Sequence, residues 1–312
     1  MKSQIDRRHF LQASGLVLAG TAAPALLGRL SLANAGEFRD LPAEPSLTKD
    51  ESATGYSGQA GRIRKAVGFT MIEEELSVED KLRLVKEVGF EGVETPTKLL
   101  DKNTPEPRVL ARASEKVGVP VHGVVNSSHP DLKGAIDEAA LYGATSVLQV
   151  VRPDPEGSFM ENYRRTQETI RHAIPNAEKK RIHILIENIW NTFLIDPLTM
   201  ARYIDELDSP YVKAYFDVGN VVRWGWPQHW IEVLGKRVVK VHIKEYNLEV
   251  AMNEGMRKGF AFPIGQGSIN WDKVREELKK IDYRGWATAE VDGGDRQRLA
   301  EISQQMNHVL DL

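Results

Sequence analysis

Arg181-Ile182-His183-Ile184-Leu185-Ile186-Glu187-Asn188 is a near-continuous apolar run that ends in a carboxylate, and its reading decides the fold. Such a run reads as a strand buried on both faces. Three later stretches repeat the pattern. Val212-Lys213-Ala214-Tyr215-Phe216-Asp217 also closes on a carboxylate. Val238-Val239-Lys240-Val241-His242-Ile243-Lys244 carries a histidine near its end, and Trp286-Ala287-Thr288-Ala289-Glu290-Val291 carries a glutamate. Each of these runs is followed by an amphipathic stretch.

Working outward, the same alternation extends over about 245 residues, the length of a single (β/α)₈ barrel. Strands are expected near 64–69, 91–95, 119–126, 146–152, 182–188, 212–217, 238–244 and 286–291. Helices are expected near 78–89, 105–117, 131–142, 159–180, 197–207, 227–235, 271–281 and 294–309. Ser77-Val78, Asp196-Pro197 and Asn270-Trp271 read as helix starts with a capping side chain. Gly89, Gly118 and Gly143 stand where helices should stop. A doubly wound open sheet is the structural competitor. It would normally carry a glycine-rich phosphate turn after its first strand, and Phe69-Thr70-Met71-Ile72-Glu73 has none. The fold class is therefore α/β, a (β/α)₈ TIM barrel.

In such barrels the chemistry is built at the carboxyl ends of the strands. Strands five to eight each deliver one polar ligand there: Glu187, Asp217, His242 and Glu290. Three carboxylates converging in an apolar-walled cleft repel one another, and a divalent cation removes that conflict. The donor set suits Mn²⁺, Mg²⁺ or Co²⁺, with Zn²⁺ a less favoured occupant. Taken singly, each of these residues has a structural explanation as a helix cap or a hydrogen-bonded core group. Four at corresponding positions of consecutive units form a site.

Composition agrees with an ordinary globular protein, at 41% hydrophobic and 27% charged residues in 312. The chain has no cysteine, which excludes thiolate metal sites, cysteine nucleophiles and disulfides. At the N-terminus, Asp6-Arg7-Arg8-His9-Phe10-Leu11-Gln12 precedes a small-residue apolar stretch from Ala13 to Leu27, and Ala33-Asn34-Ala35 offers a cleavage site. Residues 1–35 thus read as a twin-arginine signal peptide cut after Ala35, which implies the twin-arginine export machinery and a periplasmic or otherwise exported protein. The apolar stretch is too short to span a bilayer comfortably, so no stable membrane span is expected. Residues 36–61, rich in Glu, Pro, Ser, Thr and Gly, read as a linker before a barrel at 62–312. Without residues 1–35, which carry four basic residues and one acidic, the formal charge moves from −3 to −6. A surface of that sign does not attract nucleic acid over long range.

From about residue 62 to the end, the chain resembles the sugar phosphate isomerase/epimerase family, the xylose-isomerase-like barrels. The resemblance lies in Ile186-Glu187-Asn188, Phe216-Asp217-Val218-Gly219-Asn220, Val241-His242-Ile243-Lys244 and Ala289-Glu290. Gly265-Gln266-Gly267-Ser268-Ile269-Asn270-Trp271 is similar to the family's glycine turn. The resemblance implies that Glu187, Asp217, His242 and Glu290 bind one metal and that Glu187 and Glu290 also move protons. It implies a metal-dependent isomerase or epimerase acting on a ketose or keto-sugar through proton abstraction beside a carbonyl and an enediolate. The alternative within the fold is a lyase or dehydratase of a keto-sugar, keto-glycoside or inosose. Glu94, Asn126, Arg152, Asn188, Trp190, Asn220 and Lys244 are the candidates for contacting the sugar. Many ketose 3-epimerases carry a histidine at the position of Asn220, and an amide cannot titrate near neutrality. His122 and His183 lie earlier in their strands and read as core residues, and Trp224-Gly225-Trp226-Pro227 is a candidate lid or packing segment. A fold relative that repairs nucleic acid would need further histidine ligands, which Asn220 and the acidic surface disfavour. A homo-oligomer is compatible with all of this.

Overall fold

In the computed structural model, which describes residues 63–312, eight parallel strands close on themselves in chain order. The signal peptide and linker read at 1–35 and 36–61 lie outside the described residues. The strands are β1 (Arg64–Gly68), β2 (Gly92–Pro96), β3 (Val121–Ser127), β4 (Ser146–Gln149), β5 (His183–Glu187), β6 (Val212–Asp217), β7 (Val238–Ile243) and β8 (Trp286–Ala289). Pairing of Arg64 with Trp286 through Val67 with Ala289 shuts the barrel, so no strand edge is left open. The expected (β/α)₈ barrel is the observed fold.

Helices α1 (Val78–Glu87), α2 (Pro107–Val117), α3 (Leu132–Tyr142), α4 (Phe159–Arg171), α5 (Ile174–Lys180), α6 (Pro197–Asp205), α7 (Pro227–Leu234), α8 (Leu248–Glu254), α9 (Trp271–Lys280) and α10 (Arg296–Leu310) follow in order. Their starts obey local chemistry. Ser77, Asp196 and Asn270 each accept a backbone N–H three residues on, as read from the sequence. Ser158 and Glu161 cap α4 reciprocally. Gly118 and Gly143 end α2 and α3 in the left-handed region at φ 72° and 68°.

Two differences from the sequence reading have simple causes. The single helix expected over 159–180 is two, α4 and α5, because Pro175 lacks an N–H and its ring would strike the carbonyl of Arg171. The chain turns there with Ala173 N–H bonded to the Ile170 oxygen at 2.8 Å. The segment after β7 also contains α8 and a 3₁₀ turn at Met256–Phe260, too short to show a helical period.

The apolar core lies between strands and helices, where Val67, Leu82, Leu110, Ile136, Met200, Ile231 and Ile302 are all fully buried. The barrel interior is different. Its apolar filling is a small cluster of Leu148, Val150, Leu185 and Tyr215. The remaining interior is polar: Glu94, His122, Ser146, Lys240 and Thr288 are each no more than 3% exposed. At the amino ends of the strands, the Trp286 ring stacks on His122 at 4.6 Å, with the Arg64 guanidinium 4.1 Å from its centroid.

Beyond β7, the buried carboxylate of Glu245 organises the glycine turn. It accepts N–H groups from Gly265 (2.8 Å), Ile269 (3.3 Å) and the Trp271 indole (3.0 Å). Gly267 is required by this approach, since a Cβ there would lie 2.4 Å from Glu245 Oε1. Glu245→Ala leaves the buried N–H groups of Ile269, the Trp271 indole and Tyr246 (3.0 Å from Oε1) without their acceptor and should lower the free energy of unfolding by about 3 kcal/mol. Denaturant unfolding checks this, and a change within ~0.5 kcal/mol would refute the hub role.

Candidate metal centre

The four residues read from the sequence meet at one end of the barrel. Glu187 and Asp217 are the last residues of β5 and β6, and His242 is the penultimate residue of β7. Glu290 stands one residue past β8, its N–H still bonded to the Ile243 oxygen at 3.0 Å. Each offers one ligand atom, and these atoms all lie within 4.8 Å of one another. His242 Nδ1 lies 3.0 Å from Glu187 Oε1 and 3.1 Å from Glu290 Oε2. The Lys244 ammonium lies 2.7 Å from both Asp217 Oδ2 and Glu290 Oε2. Asp217 Oδ2 is fully buried and engages that ammonium by proximity alone, without hydrogen-bond geometry.

The donor set fits a divalent cation. Oxygen donors from three carboxylates and one imidazole nitrogen converge on a small volume, and an incompletely bonded buried carboxylate oxygen faces it. The electrostatics agree. Burial pushes Asp217 up to about 7, Lys244 pulling the other way, and burial likewise raises Glu187. Burial opposes charge on His242, yet the carboxylates of Glu290, Glu187 and Glu94 outweigh it and hold the imidazole protonated well above its usual range. Side-chain exposure separates the two glutamates, 7% for Glu187 against 47% for Glu290.

Around the quartet the sugar-contact candidates fall into two groups. Asn188 clips β5 to β6: its Nδ2 donates to the Asp217 oxygen at 2.8 Å and its Oδ1 accepts the Asp217 N–H at 2.9 Å. Asn220 donates its backbone N–H to Asp217 Oδ1 (2.8 Å) and its side-chain amide to the Asn188 oxygen (3.0 Å). Trp190 donates its indole N–H to the Asn220 oxygen at 2.7 Å, and its ring is hemmed by Phe260, Tyr246 and the Arg223 guanidinium. These three therefore brace Asp217. Asn126 is wholly buried and donates to Gln149 Oε1 at 2.8 Å. Glu94 is buried behind His242, 2.8 Å from its Nε2.

Lys244 and Arg152 form the second group, Lys244 with its side chain 13% exposed and Arg152 exposed. Lys244 Nζ also lies 3.4 Å from Asn220 Oδ1. Arg152 is exposed, bonded to Ser128 Oγ at 2.6 Å, on the wall of a cavity of about 440 Å³ shared with Asp154, Phe159, Trp190 and Thr192. Trp224 and Trp226 are about half exposed, with the Arg223 guanidinium 3.9 Å over the Trp224 ring and that ring 6.5 Å from Trp190. His122 is buried against Trp286, and His183 packs at 5.1 Å on Tyr211. Tyr215, Thr288 and Glu245 were not singled out in the sequence. Tyr215 and Thr288 sit two residues before Asp217 and Glu290, so strand alternation places them on the same inward face.

A metal ion must displace protons here, which sets a pH dependence. Folding raises the Asp217 pKa, so the folded metal-free chain keeps a proton that the unfolded chain releases near pH ~4, and stability falls as pH rises from there towards 7. His242 also contributes stability in full below its unfolded value of ~6.5 and loses it as pH climbs through the raised folded value. Metal binding has the opposite slope. The rise in Tm on adding Mn²⁺ should therefore grow between about pH 6 and 8, with proton release seen by calorimetry in buffers of different ionisation enthalpy. A pH-independent shift would contradict this site.

With the geometry in hand, the relatives are informative. The xylose isomerase-like TIM barrel family matches over residues 82–311. An L-ribulose-5-phosphate 3-epimerase of Escherichia coli SE11 is 25% identical over 240 residues, 72% of this chain and 78% of the relative. An inosose dehydratase of Bacillus thuringiensis is 25% identical over 142 residues, 42% of this chain and 48% of that protein. Among solved structures, a D-allulose 3-epimerase from Methylomonas sp. superposes with a TM-score of 0.65 at 16% identity, covering 80% of this chain and 99% of that one. A 3-keto-D-glucoside 4-epimerase from Escherichia coli gives 0.64 at 14% identity, covering 80% and 100%. These two structures share the fold. A barrel closed in this order, with a family match over most of its length, makes the chain a member of the xylose isomerase-like TIM barrel family.

Proposed function

We propose that this chain is an exported, divalent-metal-dependent isomerase or epimerase acting on an unphosphorylated ketose or keto-sugar. The observation that carries the reading is the pair Glu187 and Glu290. They are the outer members of four consecutive strand ends, and both approach His242 Nδ1. Two-faced proton transfer needs two carboxylates on different sides of one carbon. The export part of the reading rests on the twin arginines at Arg7 and Arg8 and the Ala33-Asn34-Ala35 site. An exported enzyme meets few sugar phosphates, hence an unphosphorylated substrate.

The quartet would hold Mn²⁺, Mg²⁺ or Co²⁺, which supplies Lewis-acid polarisation of a substrate carbonyl and so acidifies the adjacent C–H. One glutamate removes that proton and leaves an enediolate, and the other returns a proton to the opposite face with inverted configuration. Glu187 is the buried member of the pair, its pKa raised by that burial, and Glu290 is open to solvent. The Lys244 ammonium, beside Asp217 and Glu290, can bind a sugar hydroxyl or the developing negative charge. Asn188 fixes the Asp217 backbone and Asn220 holds its carboxylate.

A second reading, a lyase, is supported by the similarity to inosose dehydratase, confined to about half of that protein. The same enediolate would then expel a group from the β-carbon instead of being reprotonated. Incubation with ketoses, keto-glycosides and inososes in D₂O with Mg²⁺, followed by NMR, separates the two. Deuterium incorporation with an inverted centre supports the epimerase, and loss of water or aglycone supports the lyase. Glu290→Gln should lower turnover at least ~10³-fold with the circular dichroism unchanged. Turnover close to wild type in that variant would overturn the mechanism.

A further inference from the structure

We propose that Glu94 is the positioning residue of the metal-binding imidazole: it accepts the Nε2–H of His242 and so turns Nδ1 towards the cation. This rests on the metal-site reading above and deepens it. A neutral imidazole has one N–H and one lone pair, and the partner of one nitrogen decides what the other can ligate. In this chain the two nitrogens face different groups. Nδ1 meets Glu187 and Glu290, while Nε2 lies 2.8 Å from Glu94 Oε2.

Glu94 reaches His242 from β2, across the barrel from β7, and its side chain is 3% exposed, so water does not compete for the bond. The same Oε2 accepts the Tyr215 hydroxyl at 3.2 Å, while the Tyr215 ring lies 4.2 Å from the His242 ring at 42°. The Tyr215 hydroxyl also lies 3.1 Å from Thr288 Oγ1, which is 3.0 Å from His122 Nε2. One carboxylate oxygen is thus gripped by donors from β6 and β7 and anchored through β8 to β3. Glu94 Oε1 has no hydrogen-bond partner, so the bonding is concentrated on the oxygen that faces the histidine.

Two other roles fit less well. Substrate contact would require this carboxylate to be reachable from the mouth, and it is buried behind the His242 ring. A structural ion pair with Lys240 would direct that ammonium to the carboxylate, but it donates to the His122 carbonyl oxygen at 2.5 Å. A buried carboxylate is costly unless its charge is used. Here its hydrogen-bonding partners are a metal-ligand candidate and the tyrosine packed against that ligand.

The test is Mn²⁺ titration of the metal-stripped full chain by calorimetry, for wild type, Glu94→Met, Glu94→Gln and Tyr215→Phe. Glu94→Met, which removes the acceptor at similar size, should weaken Mn²⁺ binding ~10–100-fold. Glu94→Gln, which keeps an acceptor oxygen, should recover most of that loss. In the Mg²⁺-loaded wild type a slowly exchanging imidazole N–H should appear downfield in the proton spectrum. It should shift in Glu94→Gln and in Tyr215→Phe and vanish in Glu94→Met. A merely structural role would lower Tm in the variants while leaving the Mn²⁺ dissociation constant and the N–H resonance alone, which would overturn the proposal. If Glu94→Met does not fold, Glu94→Gln and Tyr215→Phe decide on the N–H resonance, and an unmoved signal in both overturns it. Absence of Mn²⁺ binding by the wild type would instead remove the metal-site reading itself.

Discussion

Three carboxylates gathered around one imidazole at the mouth of a barrel repel one another, and the surrounding structure exists to hold them there. Like charges at this separation in a partly dry site cost far more than they would in water. Within the chain, His242 and Lys244 are the compensating groups, each placed between two of the acids. Bracing bonds fix Asp217 further. The Asn188 side chain ties the Asp217 peptide to β5, the Asn220 backbone N–H holds the Asp217 carboxylate, and the Trp190 indole holds the Asn220 carbonyl. A site assembled this way is pre-organised, since its ligands cannot relax apart to relieve their repulsion.

The polar interior follows from the same constraint. An enzyme that needed only stability would fill its barrel with branched aliphatic side chains. Here Leu148, Val150, Leu185 and Tyr215 are the apolar part, and Glu94, Thr288, His122, Ser146 and Lys240 occupy the rest. Stability is supplied instead by the layer between strands and helices. That division of labour leaves the interior to a polar network that runs from His122 through Thr288 and Tyr215 to Glu94 and His242.

Fold kinship alone does not choose the reaction. The relatives include an epimerase and a dehydratase. Beyond the quartet, this mouth carries a rim: Asn220 and Lys244 beside the Asp217 carboxylate, and a Trp190 packed among Phe260, Tyr246 and Arg223. Trp190 is therefore a wall of the rim more than a free stacking surface. Exposed aromatic area lies further out, at Trp224 and Trp226.

Much of this was legible in the chain because strand period and strand termini are local properties. Apolar runs ending in Glu187 and Asp217, with His242 and Glu290 at matching positions, specified both the barrel and the meeting of these four side chains at its mouth, since parallel strands place their carboxyl ends together. Helix starts at Ser77, Asp196 and Asn270 were readable for the same reason, a cap being a three-residue interaction. The break at Pro175 was also written locally, but the amphipathic period running through it masked it. What only the tertiary structure decided is which polar groups face each other across the barrel. That Glu94 meets His242, that Tyr215 grips Glu94, and that Asn188 is spent on the Asp217 backbone depend on side chains from strands up to 148 residues apart. Sequence spacing carries no record of such cross-barrel distances, because they are set by closure and stagger of the whole sheet.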